Sequence, residues 1–521
     1  MNVRTLASAG LTDVWRSGPV IAIGAGVLAL GLLFHVEIAA AVATWDTSTA
    51  YNHCFLVLPI VAYLLWDRRE VLRDAVADPL PLAALAGIPL AFAWLVAERL
   101  GIMEGRQLIA MSFAELLFFA ILGPRLWWRL SGPLLYLYFL VPFGAFITPK
   151  LQDVTTIFVR HGLPLLHIPA YINGYTIEIP EGTFLIAEAC AGLRFLIAAI
   201  AFGCLYSLIM YRSALRRAVF IAVSIVVPII ANGIRALGIV ALGHYLGSAQ
   251  AAETDHVLYG WIFFSIVILI LIALGLPFRE DHFVPSKPRS PVMPHANHLR
   301  PALLGAVGLV LLAAIGPAVA SQFDRAAAPD MMSDLPTLVP AGGCSSQPAP
   351  LTEGLDAPGR MIVQRFDCPG GMVTLAIEVF SPRSTVARVI AEERRLTGII
   401  GADDVVSRKL PAPNTPSGAW RLVEANHPLR AAATSVWMQG KPAEGGLTAR
   451  VQQAWSSIVG SRFSPVLLVV TPGGDSTGLG NPDPRLEASS IARFVESQPA
   501  LGDLITRLAG SGAVRAGAVR D

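Results

Sequence analysis

The first 320 residues of this chain are a succession of apolar runs, at 19–45, 53–66, 80–97, 107–123, 131–148, 184–209, 218–246, 258–276 and 301–320. A helix that crosses a bilayer needs about 20 such residues, because the hydrocarbon core is about 30 Å thick. Inside that layer every backbone polar group must find its partner within the chain, so repeated runs of this length dictate helices. Composition agrees: 54% of the 521 residues are hydrophobic, only 15% are charged, and the mean hydropathy is +0.58. The reading is a polytopic α-helical membrane protein of eight or nine transmembrane helices, with a soluble α+β domain behind them. A formal charge of +2 argues against a nucleic-acid partner. The first run is too long for a cleaved signal peptide and reads as a signal anchor.

Charge orients the helices. With the N-terminus inside, the inside segments before residue 301 carry 14 Lys and Arg, and the outside loops carry four: Arg99, Arg106, Lys150 and Arg160. Positive loops stay on the cytoplasmic side, so the N-terminus is expected inside and the C-terminal domain on the periplasmic face of an inner membrane. Trp66 beside Asp67-Arg68-Arg69, and Trp127-Trp128 between Arg125 and Arg129, read as interfacial anchors. The expected domains are a catalytic membrane region over 1–280, a Pro-rich cytoplasmic linker over 281–300, a last span over 301–320, and a soluble domain over 321–521. In that domain, strands are predicted at 361–366, 372–380 and 465–471, and helices at 384–396, 447–459 and 490–508. Cys344 and Cys368 could pair there in an oxidising compartment, or stay as two thiols. No Cys or His spacing fits a metal, and no Gly-rich loop fits a phosphate, so neither a metal nor a cofactor is expected.

Ionisable residues inside spans are costly and default to functional hypotheses. Three strings carry them: Glu188-Ala189-Cys190-Ala191-Gly192-Leu193-Arg194, then Asn232-Gly233-Ile234-Arg235, then Asp255-His256. In the helix at 184–209, Cys190 lies about 10 Å below the outer end near Phe184 and Arg194 one turn deeper on the same face; Arg235 lies about 15 Å below the outer end of the next helix. His256 sits at the outer mouth. A thiolate is a nucleophile that cationic neighbours favour. Arg194 and Arg235 stay charged and can stabilise a thiolate or an oxyanion. His256 can move a proton, and Asn232 can orient Arg235. Against this stands a structural polar network, including a Glu188–arginine ion pair, or a transport pathway. Cys54 and Cys204, with no such company, read as packing residues.

The strings AEACAGLR at 187–194, ANGIRALGIVALGHYLG at 231–247 and DHVLYGWIFF at 255–264 resemble the signature regions of exosortases, and residues 47–70 resemble that family's N-terminal region. The resemblance spans roughly residues 20–280. It implies a membrane cysteine transpeptidase that processes exported proteins bearing a Pro-Glu-Pro motif, a transmembrane segment and a basic tail. By motif, Cys190 would be the nucleophile, Arg235 the proton donor or charge stabiliser, and His256 the third catalytic position. Arg194, Asn232 and Glu188 would support them. Ala191 stands where many relatives have Ser. The acceptor of the acyl group would be water, a glycan or a lipid amine. Residues 432–440, 465–471 and 489–501 resemble more weakly a periplasmic domain associated with exosortases. Two other classes stay open: an exopolysaccharide polymerase or glycan transferase, and a transporter.

Overall fold

The computed structural model describes residues 18–69, 72, 77–247, 256–280, 299–326, 336–347, 360–399, 405–416, 418–426, 429–443, 446–460, 463–473 and 484–509. The chain forms two compact units: residues 1–90 with 107–313, and residues 91–106 with 314–521.

The first unit opens with α1 (Gly18–Leu33) and α2 (His35–Thr47), which meet at 79°. A 3-10 turn at Asn52–Leu56 leads into α3 (Val57–Asp67), and another at Pro81–Ala86 into α4 (Gly87–Arg99). Next, α5 (Met103–Tyr136) is not a single rod. Gly123 has φ 76° and ψ 165° inside it. Beyond that point the chain turns back, for the hydroxyls of Ser112 and Tyr138 lie 2.9 Å apart. In a straight helix 26 residues would separate them by about 39 Å. After it come the amphipathic α6 (Thr148–Leu165), a three-stranded meander of β1 (Tyr171–Asn173), β2 (Thr176–Ile179) and β3 (Gly182–Leu185), and a 3-10 turn at Glu188–Ala191. Three apolar helices follow: α7 (Leu193–Met210), α8 (Ala214–Leu246) and α9 (His256–Gly275). The last helix of the membrane region is α10 (Leu299–Ala326).

Among the described residues five helices are long and apolar enough to cross a bilayer, or six if the bent α1–α2 pair is one span. The expectation of eight or nine is not confirmed by this count, in which the doubled-back α5 stands as one helix. The first run breaks at its middle, and the apolar helix Asn52–Asp67 is short. The run at 131–148 loses its helix at Leu140, and the chain then continues as α6, whose buried face mixes Thr148, Gln152, Thr155 and Thr156 with Leu151, Val159 and Leu163. Leu28, Leu32, Leu58, Leu269 and Leu311 all point outward from their helices, as side chains that meet lipid do.

Helices α7 and α8 cross closely where Gly203 meets Ser224; a Cβ on Gly203 would lie 2.3 Å from the Ser224 hydroxyl. Small residues allow such approach in membranes. At the far end Glu280 ties three helices together. Its backbone N–H donates to Met210 O at 3.0 Å, closing on the end of α7. Its carboxylate accepts from the backbone N–H groups of Arg212 and Ser213, the latter at 2.8 Å, at the start of α8.

The second unit is the soluble part with residues 91–106. Its strands are β4 (Ser345–Gln347), β5 (Arg360–Cys368), β6 (Gly371–Val379), β7 (Val405–Leu410), β8 (Trp420–Asn426), β9 (Leu429–Met438), β10 (Lys441–Pro442) and β11 (Val466–Pro472). They form one antiparallel sheet in the order β4-β5-β6-β11-β9-β8-β7, with β10 on β9. Helices α11 (Val386–Thr397) and α12 (Gly446–Val459) precede β7 and β11 respectively, and α13 (Pro484–Ser497) and α14 (Ala500–Ala509) end the described chain. Central β11 explains the layering. Val466, Leu468 and Val470 join a core with Phe494 of α13 and Leu504 of α14, while Leu467 and Val469 join Val386 and Val389 of α11 on the other face. A strand buried on both faces reads as an unbroken apolar run, which is why 465–471 was legible. Cys344 and Cys368 are disulfide-bonded.

Candidate active site

The thiol of interest is not inside a transmembrane helix. Phe184 belongs to β3, Cys190 to the 3-10 turn at Glu188–Ala191, and the regular helix α7 begins only at Leu193. The expectation that Arg194 lies one helical turn from Cys190 on a shared face is therefore corrected. The depth count along 184–209 fails with it, because extended strand and turn do not advance at the helical rise. The break is chemical: Gly192 has φ 80°, a left-handed conformation that glycine adopts without steric cost. That geometry sets the Cys190 turn immediately before the N-terminus of α7.

Asn232 holds the turn there. Its Nδ2 donates to the Cys190 carbonyl at 3.0 Å and to Thr155 Oγ1 at 3.2 Å. A Cβ on Gly192 would lie 2.5 Å from the Asn232 side chain, so glycine is also needed for this approach. Thr155, Gly192 and Asn232 line a cavity of about 10 Å³ together with Leu196 and Pro228. Gln152, one turn before Thr156 on α6, donates from Nε2 to Ile186 O at 3.0 Å. Both Gln152 and Thr155 are buried, and neither was singled out by the sequence reading. The Cys190 side chain packs beside a cluster containing Val159 of α6, Ile177 and Phe184 of the meander, and Val240 of α8.

The meander is fastened on both sides. Tyr175 OH donates to Asp153 Oδ1 of α6 at 2.9 Å, and His244 Nδ1 lies 2.9 Å from Glu181 Oε2. Helix α8 is long enough to supply that second anchor: 33 residues give about 50 Å against a hydrocarbon core of about 30 Å. The hydrogen bond from His244 holds the Glu181 carboxyl below the usual carboxylate range.

The two arginines meet through one ring. Arg194 stands 4.7 Å and Arg235 5.4 Å from the centroid of Phe195. Phe195 in turn stacks on Phe264 of α9 at 5.3 Å. On the same helix a Cβ at Gly260 would lie 3.3 Å from Arg194 Nη2. Arg235 is buried, and Arg194 Nε is a buried donor with no acceptor among the described residues. Thus Cys190, Asn232, Arg194 and Arg235 are linked through Asn232 and Phe195. His256 opens α9, one turn before Gly260; its side chain, like that of Glu188, lies outside the described residues. No group of His, Cys, Asp or Glu among the described residues could hold a metal ion.

Residues 45–273 match the model of a protein family described as transmembrane exosortase (Exosortase_EpsH). The membrane part of this chain belongs to the exosortase family. No curated protein and no solved structure matches the chain. The exosortase match covers the meander and all six candidate site residues, and it ends before α10 and the strands β4–β11.

Proposed function

We propose that this exosortase is a cysteine protease or transpeptidase that removes C-terminal sorting signals of the Pro-Glu-Pro type from exported proteins, on the periplasmic side of the inner membrane. Its service would be the sorting of proteins for an exopolysaccharide or biofilm matrix. The observation that carries this reading is the coupling of the thiol turn to α8. Asn232 fixes the Cys190 carbonyl, and Arg235, one turn along, shares the Phe195 ring with Arg194. A nucleophile in a turn before a helix N-terminus, with arginines on that helix and on the one that fixes the turn, suits attack on a carbonyl.

In the proposed reaction the Cys190 thiolate adds to the carbonyl carbon of the scissile peptide bond. Arg194 and Arg235 donate hydrogen bonds to the oxyanion that forms. The C–N bond then breaks, the leaving amine takes a proton from His256, and the substrate's transmembrane tail departs. Cys190 is left as an acyl thioester. Water, or an amine or hydroxyl of a glycan or lipid, adds to the thioester and gives its proton to His256, and the thiolate leaves. Glu188 would balance the arginines.

Co-expression with a reporter bearing such a tail tests this directly, with intact mass as readout. Wild type should shorten the reporter and Cys190→Ala should not. Equal shortening by both would end the thiol mechanism.

A further inference from the structure

We infer that α12 is an interfacial helix that rests on the lipid headgroups of the leaflet at which α10 ends. Along its 14 residues one face is buried, with Gln453, Ala454 and Ser457, and Gln453 Nε2 donates to Ser384 O at 2.8 Å. The opposite face carries Val451, Trp455 and Val459, exposed by 50%, 68% and 61%. Their spacing of i, i+4, i+8 makes one stripe down the helix. A soluble domain gains nothing from a tryptophan held in water between two valines. Large apolar side chains on an outward stripe mark a docking surface.

What the stripe meets follows from what brackets the helix within its own unit. Near its start, Arg450 lies within electrostatic reach of Glu104, in the first turn of α5. Just past its end, a Cβ on Gly460 would be 3.8 Å from Arg383, whose guanidinium lies 5.5 Å from the Phe323 ring in the last turn of α10. Arg99, at the end of α4, hydrogen-bonds Asp324 at 3.2 Å. Gly101, in the α4–α5 turn, packs on Ala387 of α11. Both ends of α12 therefore stand where spans leave the apolar layer, on the sheet face that α11 shares. A helix fixed at that level, with tryptophan central in an apolar stripe, fits the headgroup–acyl boundary. The sequence GLTARVQQAWSSIV has one arginine and no acidic residue, which suits anionic headgroups.

The test uses the full chain in nanodiscs of phosphatidylethanolamine and phosphatidylglycerol, doped with a phospholipid that carries a diazirine at the head of its acyl chain. After irradiation, adducts are mapped by peptide mass. Adducts are expected on 446–459 as well as on the spans, falling at least five-fold in Trp455→Gln and in a Val451→Gln/Val459→Gln pair. These positions face outward, and an unchanged melting curve would show that the variants fold. Labelled spans with an unlabelled 446–459 would overturn the inference. So would cross-links joining 446–459 of two copies in particles that hold two chains. The outcome is independent of whether Cys190 is a nucleophile.

Discussion

At the scale of single residues, Gly192 and Asn232 decide where the thiol sits. Gly192→Ala would strain a left-handed backbone by about 1 kcal/mol and drive a Cβ into Asn232 at 2.5 Å. The turn must shift, so processing of a tailed reporter should fall by more than about ten-fold while the chain still folds. Thr155 acts one step further out. Thr155→Val removes the acceptor of one Asn232 hydrogen bond, a loss of about 1 kcal/mol, or about five-fold in rate if expressed fully in the transition state. Thr155→Ser should restore it. Alkylation of Cys190, followed by peptide mass with Cys54 and Cys204 as internal references, separates displacement of the thiol from general loosening. Loosening would raise all three rates, and displacement would alter Cys190 alone.

At the scale of elements, the clamp at Glu280 carries a pH dependence. Backbone hydrogen bonds from Ser213 and Arg212, with Arg216 and Arg212 nearby, hold its carboxyl below the usual range. A depressed carboxyl stabilises the fold above its unfolded pKa, roughly 4.3, and that stabilisation is lost as pH falls through the folded value. Glu280→Gln should therefore lower the melting temperature of the chain in detergent at pH 7, and the difference from wild type should close below about pH 4. A gap unchanged at acid pH would mean that the carboxylate charge is not what ties α7, α8 and α9. The elements also show what a sequence can and cannot say. Strands β5, β6 and β11 and helices α11 and α12 were legible because alternation, or an unbroken apolar run, has one reading there. The run at 184–209 was not, because Ile, Leu and Phe suit a strand as well as a helix and the break rests on the φ of a single glycine. The meander did leave a signal: Asn173-Gly174 between alternating residues marks a hairpin, and Gly174 has φ 58°. Helix α6 was hidden because Thr148, Gln152, Thr155 and Thr156 interrupt the apolar Leu151, Val159 and Leu163 along its buried face. Cys190, Arg194 and Arg235 stood out as polar residues in apolar surroundings, whereas the ring that joins the arginines, Phe195, is an aromatic among many.

At the scale of the whole molecule, two units with separate cores should unfold separately, and the Cys344–Cys368 disulfide belongs to only one of them. It closes a loop across a sequence separation of 24 and ties the segment before β4 to the end of β5. By loop-closure entropy such a bond stabilises by about 3 kcal/mol. Loss of it falls on the β4 edge of the sheet, where β4 has only three residues of ladder with β5. Calorimetry of the full chain in detergent should show two transitions. In a Cys344→Ala/Cys368→Ala double variant the transition of the second unit should move down by several degrees. The other transition should stay in place, as should the alkylation rate of Cys190. Movement of both transitions together would show that the membrane unit depends on the soluble one for its stability, and the thiol turn would then have to be treated as part of a single cooperative structure. A stationary first transition would instead place everything that positions Cys190 within the membrane unit, where α6, the meander and α8 surround it.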